Sequence, residues 1–144
     1  MFRVSEPVSQ EDFQKIYELR YQVLRSPWKQ PKGSERDDAE DISVHAMICD
    51  ESGRCIATGR LQFNSESECQ IRFLAVCNEF RGQGFGNMIL EFLEEKARKK
   101  SATTIVLQAR ENAVRFYESA GYLLEEKTFL LFDAIQHYRM RKQL

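Results

Sequence analysis

The run Arg81-Gly82-Gln83-Gly84-Phe85-Gly86-Asn87 is the stretch of this 144-residue chain whose residue types and spacing could do chemistry. Glycines at every second position free the backbone to take positive φ and let a ligand approach successive N–H groups. An amphipathic segment follows at once. If that segment is helical, its first turn adds unpaired donors and the positive end of a dipole, and Arg81 adds a full charge, so a pyrophosphate is the guest that fits. Two other phosphate motifs fail on spacing. A dinucleotide fingerprint would need its third glycine at Asn87 or Ile89, and a P-loop would need a Gly-Lys-Ser/Thr that does not follow.

The elements that must position this loop are legible on both sides. Ile71, Phe73, Leu74, Ala75 and Val76 read as a central strand running into it, and Met88, Ile89, Phe92, Leu93 and Ala97 mark one face of a helix leaving it. Residues 103–109 read as a buried strand, so strand, helix and strand form a βαβ unit with parallel neighbours. Upstream, residues 2–5 are expected as a short first strand. Ser9 is expected to cap a helix bearing Phe13, Ile16, Tyr17 and Leu24, with Asp12 in the capping-box position. Residues 26–41 read as a long loop, either a solvated connector or a pocket wall carrying Trp28. A hairpin turning at Asp50-Glu51-Ser52-Gly53 follows. Three or four antiparallel strands are expected before the glycine loop. After residue 110 a short helix ends at Gly121, and strands near 122–126 and 135–142 finish the chain. The fold class expected is α/β of α+β type, a mixed central sheet of about seven strands with helices on both faces.

Composition narrows the function. The length suits one domain over residues 1–144 with its own core. With 21 Lys and Arg against 22 Asp and Glu, no global charge favours nucleic acid or a membrane surface. No apolar run approaches the ~20 residues of a membrane span. The first ten residues lack the basic-then-apolar order of a secretory signal, so a soluble cytoplasmic protein is expected. Cys49, Cys55, Cys69 and Cys77 form no C-x-x-C pair and read as reduced thiols; with two histidines in the chain, no metal site is expected.

Arg81, Gly84 and Gly86 fit the pattern Arg/Gln-x-x-Gly-x-Gly/Ala, and Asn112, Ala113, Phe116, Tyr117, Gly121 and Tyr122 follow one strand later. In this order and separation the two segments resemble the acyl-CoA pyrophosphate loop and the second diagnostic motif of the GNAT N-acetyltransferase superfamily. The loop LRSPWKQPKGSERD, with IRFLAV and IQHYRM, looks more narrowly like the acetyltransferase half of bacterial proteins that join such a domain to a hotdog thioesterase-like domain. A single domain without the hotdog partner is expected here.

The resemblance implies acetyl-CoA as co-substrate and direct transfer to a primary amine of a small molecule or peptide within a ternary complex. It implies that the sheet splays open beside Leu74, Ala75 and Val76, which would follow the pantetheine arm. Arg81, Gly82, Gln83, Gly84, Phe85, Gly86 and Asn87 would hold the pyrophosphate, Asn112 would bond the arm, and Phe116 would pack beside it. Tyr117 would be the general acid that protonates the departing thiolate. From a phenol at about 10 to a thiol at about 8.5 that transfer is uphill by roughly 2 kcal/mol, so the site must supply proximity. The general base is open among Glu68, Glu79, His45 and His137; where histone-type relatives carry a glutamate, this chain has Gln70, which cannot titrate. A binding module without chemistry and a transferase of longer acyl groups from CoA or acyl-carrier protein are the alternatives, and a homodimer is left open.

Overall fold

The computed structural model describes residues 2–144. Helix α1 spans Gln10–Leu24, and strands β1 (Val44–Cys49), β2 (Cys55–Phe63) and β3 (Glu68–Val76) follow. Helix α2 is Phe85–Lys99, β4 is Thr104–Arg110, α3 is Val114–Ser119, and β5 (Leu123–Leu131) and β6 (Ile135–Gln143) close the chain. The six strands lie in the order β1-β2-β3-β4-β6-β5, all neighbours antiparallel except the β3-β4 pair. The expected βαβ unit is therefore present, and the class is the mixed α/β sheet anticipated.

The seventh strand is not. Residues 2–5 contribute a single bridge, Ser5 to Met47, because the chain leaves β1 after one pair of hydrogen bonds and turns toward the cap of α1. That cap forms as expected. The Ser9 hydroxyl accepts from the Asp12 N–H at 3.1 Å, and the Asp12 carboxylate accepts from the N–H groups of Val8 and Ser9 at 2.9 and 3.3 Å.

Alternation along the strands sends two sets of side chains to opposite faces. Ala46, Ile48, Ile56, Leu61 and Ile71 pack beneath α2, whose buried stripe is Phe85, Ile89, Leu90, Leu93 and Ala97. Met47, Cys55 and Ala75 pack beneath Ile16, Leu19 and Leu24 of α1. The hairpin turns where expected, with Asp50 Oδ1 accepting from Ser52 and Arg54 N–H groups at 3.0 Å each. No described helix is long and apolar enough to cross a membrane.

Two irregularities open the sheet. On β3, Phe73 and Leu74 stand opposite Gly59 alone, because pairing passes from Arg60–Arg72 to Thr58–Ala75. This is a β-bulge, and Phe73 takes φ 55 within it. On the other side, β3 and β4 pair only as far as Ile71–Leu107, while β4 stays paired to β6 through Arg110–His137. Beyond Ile71 the parallel strands diverge, and main-chain groups from Arg72 to Val76 have no partner strand on that side.

Candidate active site

Bulge and splay leave two adjoining cavities, one on each side of the gap between β3 and β4. The larger, about 700 Å³, is walled by Leu74, Ala75 and Val76 of β3, by the glycine loop, and by Asn112 and Phe116. The smaller, about 350 Å³, lies over Tyr117, Gln70, Gln108 and His137. Leu24, Leu74, Arg110 and Ala113 line both, so the cavities meet there.

The glycines of the loop serve different ends. Gly82 and Gly84 have φ of 76 and 90, and a Cβ built on either would meet nothing within 4 Å, so the loop backbone is open to a ligand. Gly84 is the N-cap of α2 and carries no side-chain cap, which leaves the first helical N–H groups free for an anion. The same freedom is expected at Gly86 from its spacing, but that residue lies inside α2 and is not among the glycines with positive φ. Its missing Cβ makes room for the Phe116 ring, whose Cζ would sit 3.0 Å from it.

Of the loop residues, Arg81, Gly82, Gly84, Phe85, Gly86 and Asn87 line the larger cavity. Gln83 does not, and its amide donates weakly to the Glu79 carbonyl at 3.4 Å. The Phe85 ring turns away into an aromatic cluster, 4.8 Å from Phe2 and 5.9 Å from Phe80. Trp28 also lines this cavity, through the loop after α1, and stacks on the Arg110 guanidinium at 4.6 Å. Part of the long loop is thus pocket wall.

Tyr117 lines the smaller cavity instead, on the short helix α3, between Phe116 at 5.1 Å and Tyr122 at 5.8 Å. The Tyr122 hydroxyl donates to Glu94 at 2.9 Å, whereas that of Tyr117 has no protein partner among the described residues. Burial pushes the Tyr117 hydroxyl well above the usual phenol range, opposed by the nearby Arg110 charge, so it stays protonated at neutral pH.

The four candidate bases separate clearly. Glu68 and Glu79 lie outside both cavities, beside Arg141 at 3.7 Å and Arg54 at 3.5 Å respectively. His45 is buried elsewhere: its Nε2–H donates to the Glu40 carbonyl at 2.8 Å, and Nδ1 faces Arg20 at 3.4 Å. His137 lines the smaller cavity. A carbonyl only accepts, so the 3.0 Å contact to Ile135 O fixes the proton on Nδ1 and leaves an Nε2 lone pair without a protein partner among the described residues. The ring stacks on Phe129 at 4.5 Å, and burial lowers its pKa, aided by the charges of Arg110 and Arg25.

Beneath the bulge lies a network that sequence reasoning missed. Arg20 donates to both Glu40 oxygens at 3.0 Å; Arg60 pairs with Glu40 at 2.9 Å and with Asp37 at 2.6 Å; Arg72 pairs with Asp37 at 2.8 Å. The guanidinium carbons of Arg20, Arg72 and Arg60 lie 4.5, 4.7 and 4.9 Å from the Phe73 ring centre, and that of Arg25 lies at 5.7 Å. Such cation–π contacts hold the ring while its backbone sits in a region uncommon for a side-chain-bearing residue. Arg110 also escaped notice. Its alternation with Gln108 at the end of the otherwise apolar strand was the available signal; nothing local marks Arg25.

A parallel strand pair splayed beside an uncapped helix N-terminus, with a second cavity adjoining the first, leaves room for two ligands to meet at the gap. Comparison with known proteins names the class. The profile of the Acetyltransferase (GNAT) family matches residues 12–122, and the chain belongs to that family of acyltransferases. The uncharacterized N-acetyltransferase YjcF of Bacillus subtilis (strain 168) is 29% identical over 136 residues, covering 93% of this chain and 94% of YjcF. An acyl-CoA N-acyltransferase from Pseudomonas aeruginosa shares the fold with TM-score 0.82 at 23% identity, covering 99% of this chain and 98% of that one. A GNAT family acetyltransferase from Elizabethkingia anophelis, solved with acetyl-CoA bound, does so with TM-score 0.81 at 14% identity and the same coverage.

Proposed function

We propose that residues 1–144 act as one domain that transfers an acetyl group from acetyl-CoA directly to a primary amine of a small molecule or peptide. The observation that carries this reading is the meeting of the two cavities at the β3–β4 splay, which gives donor and acceptor separate entrances to one point. Arg81 to Asn87 hold the pyrophosphate through main-chain N–H groups and the Arg81 charge, with Gln83 shaping the loop from outside. Leu74, Ala75 and Val76 carry the pantetheine arm along the unpaired edge of β3. Asn112 bonds the arm and Phe116 packs beside it.

In the reaction the amine nitrogen attacks the thioester carbonyl, a C–N bond forms and the C–S bond breaks. A main-chain N–H at the splay polarises the carbonyl oxygen; loss of one such donor costs other enzymes about 2.7 to 4 kcal/mol. His137 Nε2 takes the amine proton, directly or through water, and Tyr117 gives its proton to the departing thiolate. Gln70 lines the acceptor cavity and orients the amine by hydrogen bonding. The four unpaired cysteines suit a reducing cytosol. Exposed Leu123, Leu124 and Leu130 on edge strand β5 support pairing of two copies there, which light scattering would detect.

The test is release of CoA thiol from acetyl-CoA during a screen of amines. Amine-dependent release supports the enzyme, and tight acetyl-CoA binding with no such release would reduce the protein to a binding module. The likeness of residues 24–37, with IRFLAV and IQHYRM, to the hotdog fusion proteins is the ground for including longer acyl-CoA donors in the same assay.

A further inference from the structure

The acceptor cavity is lined by Arg25, Arg72 and Arg110, and by no aspartate or glutamate. Elsewhere under the bulge, arginines come with carboxylates: Arg20, Arg60 and Arg72 each have one within 3.0 Å. Arg25 and Arg110 have none among the described residues. Arg25 donates from Nε to Ser34 O and from Nη1 to Leu24 O, both at 3.0 Å, and Arg110 donates from Nη2 to the same Leu24 carbonyl at 3.1 Å. Those bonds aim the two guanidinium groups but cancel neither charge, and they leave Arg25 Nη2 with Arg110 Nε and Nη1 unbonded to protein.

Half-burying two neighbouring cations with no carboxylate in ion-pair contact is costly; the more distant Glu35 charge offsets only part of it at Arg25, and at Arg110 the pKa falls to about 10 through burial first and the Arg25 charge second. His137, held neutral and cross-strand from Arg110, adds no negative charge. A contacting counter-charge inside the cavity is one that a ligand would bring.

We infer that the acceptor of this transferase is an anionic amine, a small molecule whose carboxylate or phosphate is gripped between Arg25 and Arg110 while its amine faces Tyr117 and His137. The inference rests on the acetyl-transfer reading for the amine end alone; the anion site stands on the arginines. A cavity of about 350 Å³ admits an amino acid or short peptide and excludes a folded protein surface beyond its tip. A fork of guanidinium donors recognises both oxyanion types, so the test must separate them.

The experiment compares kcat/KM for matched amines with acetyl-CoA: β-alanine against β-alaninamide, γ-aminobutyrate against γ-aminobutyramide, and O-phosphoethanolamine against ethanolamine. The acid of a pair should be preferred by about tenfold to a hundredfold, as expected for a charge-assisted hydrogen-bonded contact. The carboxylate and phosphate arms show which anion is native. In Arg25→Gln the acid-to-neutral ratio should collapse toward one, and in Arg25→Lys it should be partly kept. Amides turned over as well as acids would overturn the inference and leave acetyl transfer intact. If no amine is acetylated, calorimetry with the same acids decides: heat with wild type that Arg25→Gln abolishes sustains the anion site without the enzyme, and no heat from any acid overturns it.

Discussion

Tyr117 and His137 face one cavity in opposite protonation states, and both states come from burial. Burial disfavours the charged form, so the phenol keeps its proton and the imidazole sheds its own. On the proposed reading these serve as an acid and a base ready at neutral pH, with no carboxylate needed. Tyr117→Phe should lower kcat by about 10²- to 10⁴-fold with acetyl-CoA affinity nearly unchanged, because the lost hydroxyl has no protein bond to break. Unaltered kcat in that variant would remove the acid role. For His137 the sign follows from its lowered pKa: it is a competent base above that value and is lost as pH falls through it, somewhere below 6.5. Deprotonation of the acceptor amine already gives log kcat/KM a slope of one with pH. A second unit of slope should therefore appear in the acidic range and vanish in His137→Gln.

At the level of elements, the bulge on β3 and the cap of α2 do the positioning. Gly84 at φ 90, like Gly82, is a residue where a side chain would strain the loop without meeting any protein atom. Gly84→Val should cost at least about 1 kcal/mol of loop strain and intrude on the ligand's space, raising the acetyl-CoA Kd by about tenfold or more in calorimetry. Gly86→Ala acts differently, since its Cβ would press on Phe116 at 3.0 Å. The expected sign there is lower thermal stability with a smaller change in coenzyme affinity. If both variants bound acetyl-CoA as wild type does, the loop would not be the pyrophosphate site.

Across the whole molecule, the stretch between α1 and β1 is tied to the sheet by two carboxylates. Glu40 bridges Arg20 and Arg60, and Asp37 bridges Arg60 and Arg72, so loop, helix and bulge are tied to one another. Removing Glu40 leaves the buried Arg20 guanidinium without its ion-pair partner and Arg60 with Asp37 alone, and Glu40→Ala should destabilise the fold by about 3–5 kcal/mol in urea titration. Asp37 makes the link pH-dependent. The Arg60 hydrogen bond, against the opposing effect of burial, lowers its pKa from 3.8 to about 2. A depressed carboxylate stabilises above its unfolded value and ceases to as pH falls through the folded one. With its side chain 30% exposed and partly screened, it should contribute about 1–2 kcal/mol, lost between about pH 4 and pH 2. Asp37→Asn should flatten that acid limb of the urea midpoint; an identical limb would assign it to other carboxylates.

The residues read correctly in advance are those whose signal is local. Ser9 and Asp12 make a cap within four residues, the positive φ of Gly82 and Gly84 is written in the residue type, and apolar periods of 2 and 3.6 place β3, α2 and β4 in order. Sequence alone therefore determined the family and the βαβ unit, and it placed the glycine loop within that unit. Only the tertiary structure decided that residues 2–5 form a bridge instead of a strand, that Gly86 serves Phe116, and that His137 rather than His45, Glu68 or Glu79 reaches the acceptor side. It alone brought Arg25, from the end of α1, beside Arg110, 85 positions later at the end of β4. The physical reason is that burial, counter-charge and cavity shape belong to groups far apart in the chain, and no short window of sequence contains both members of such a pair.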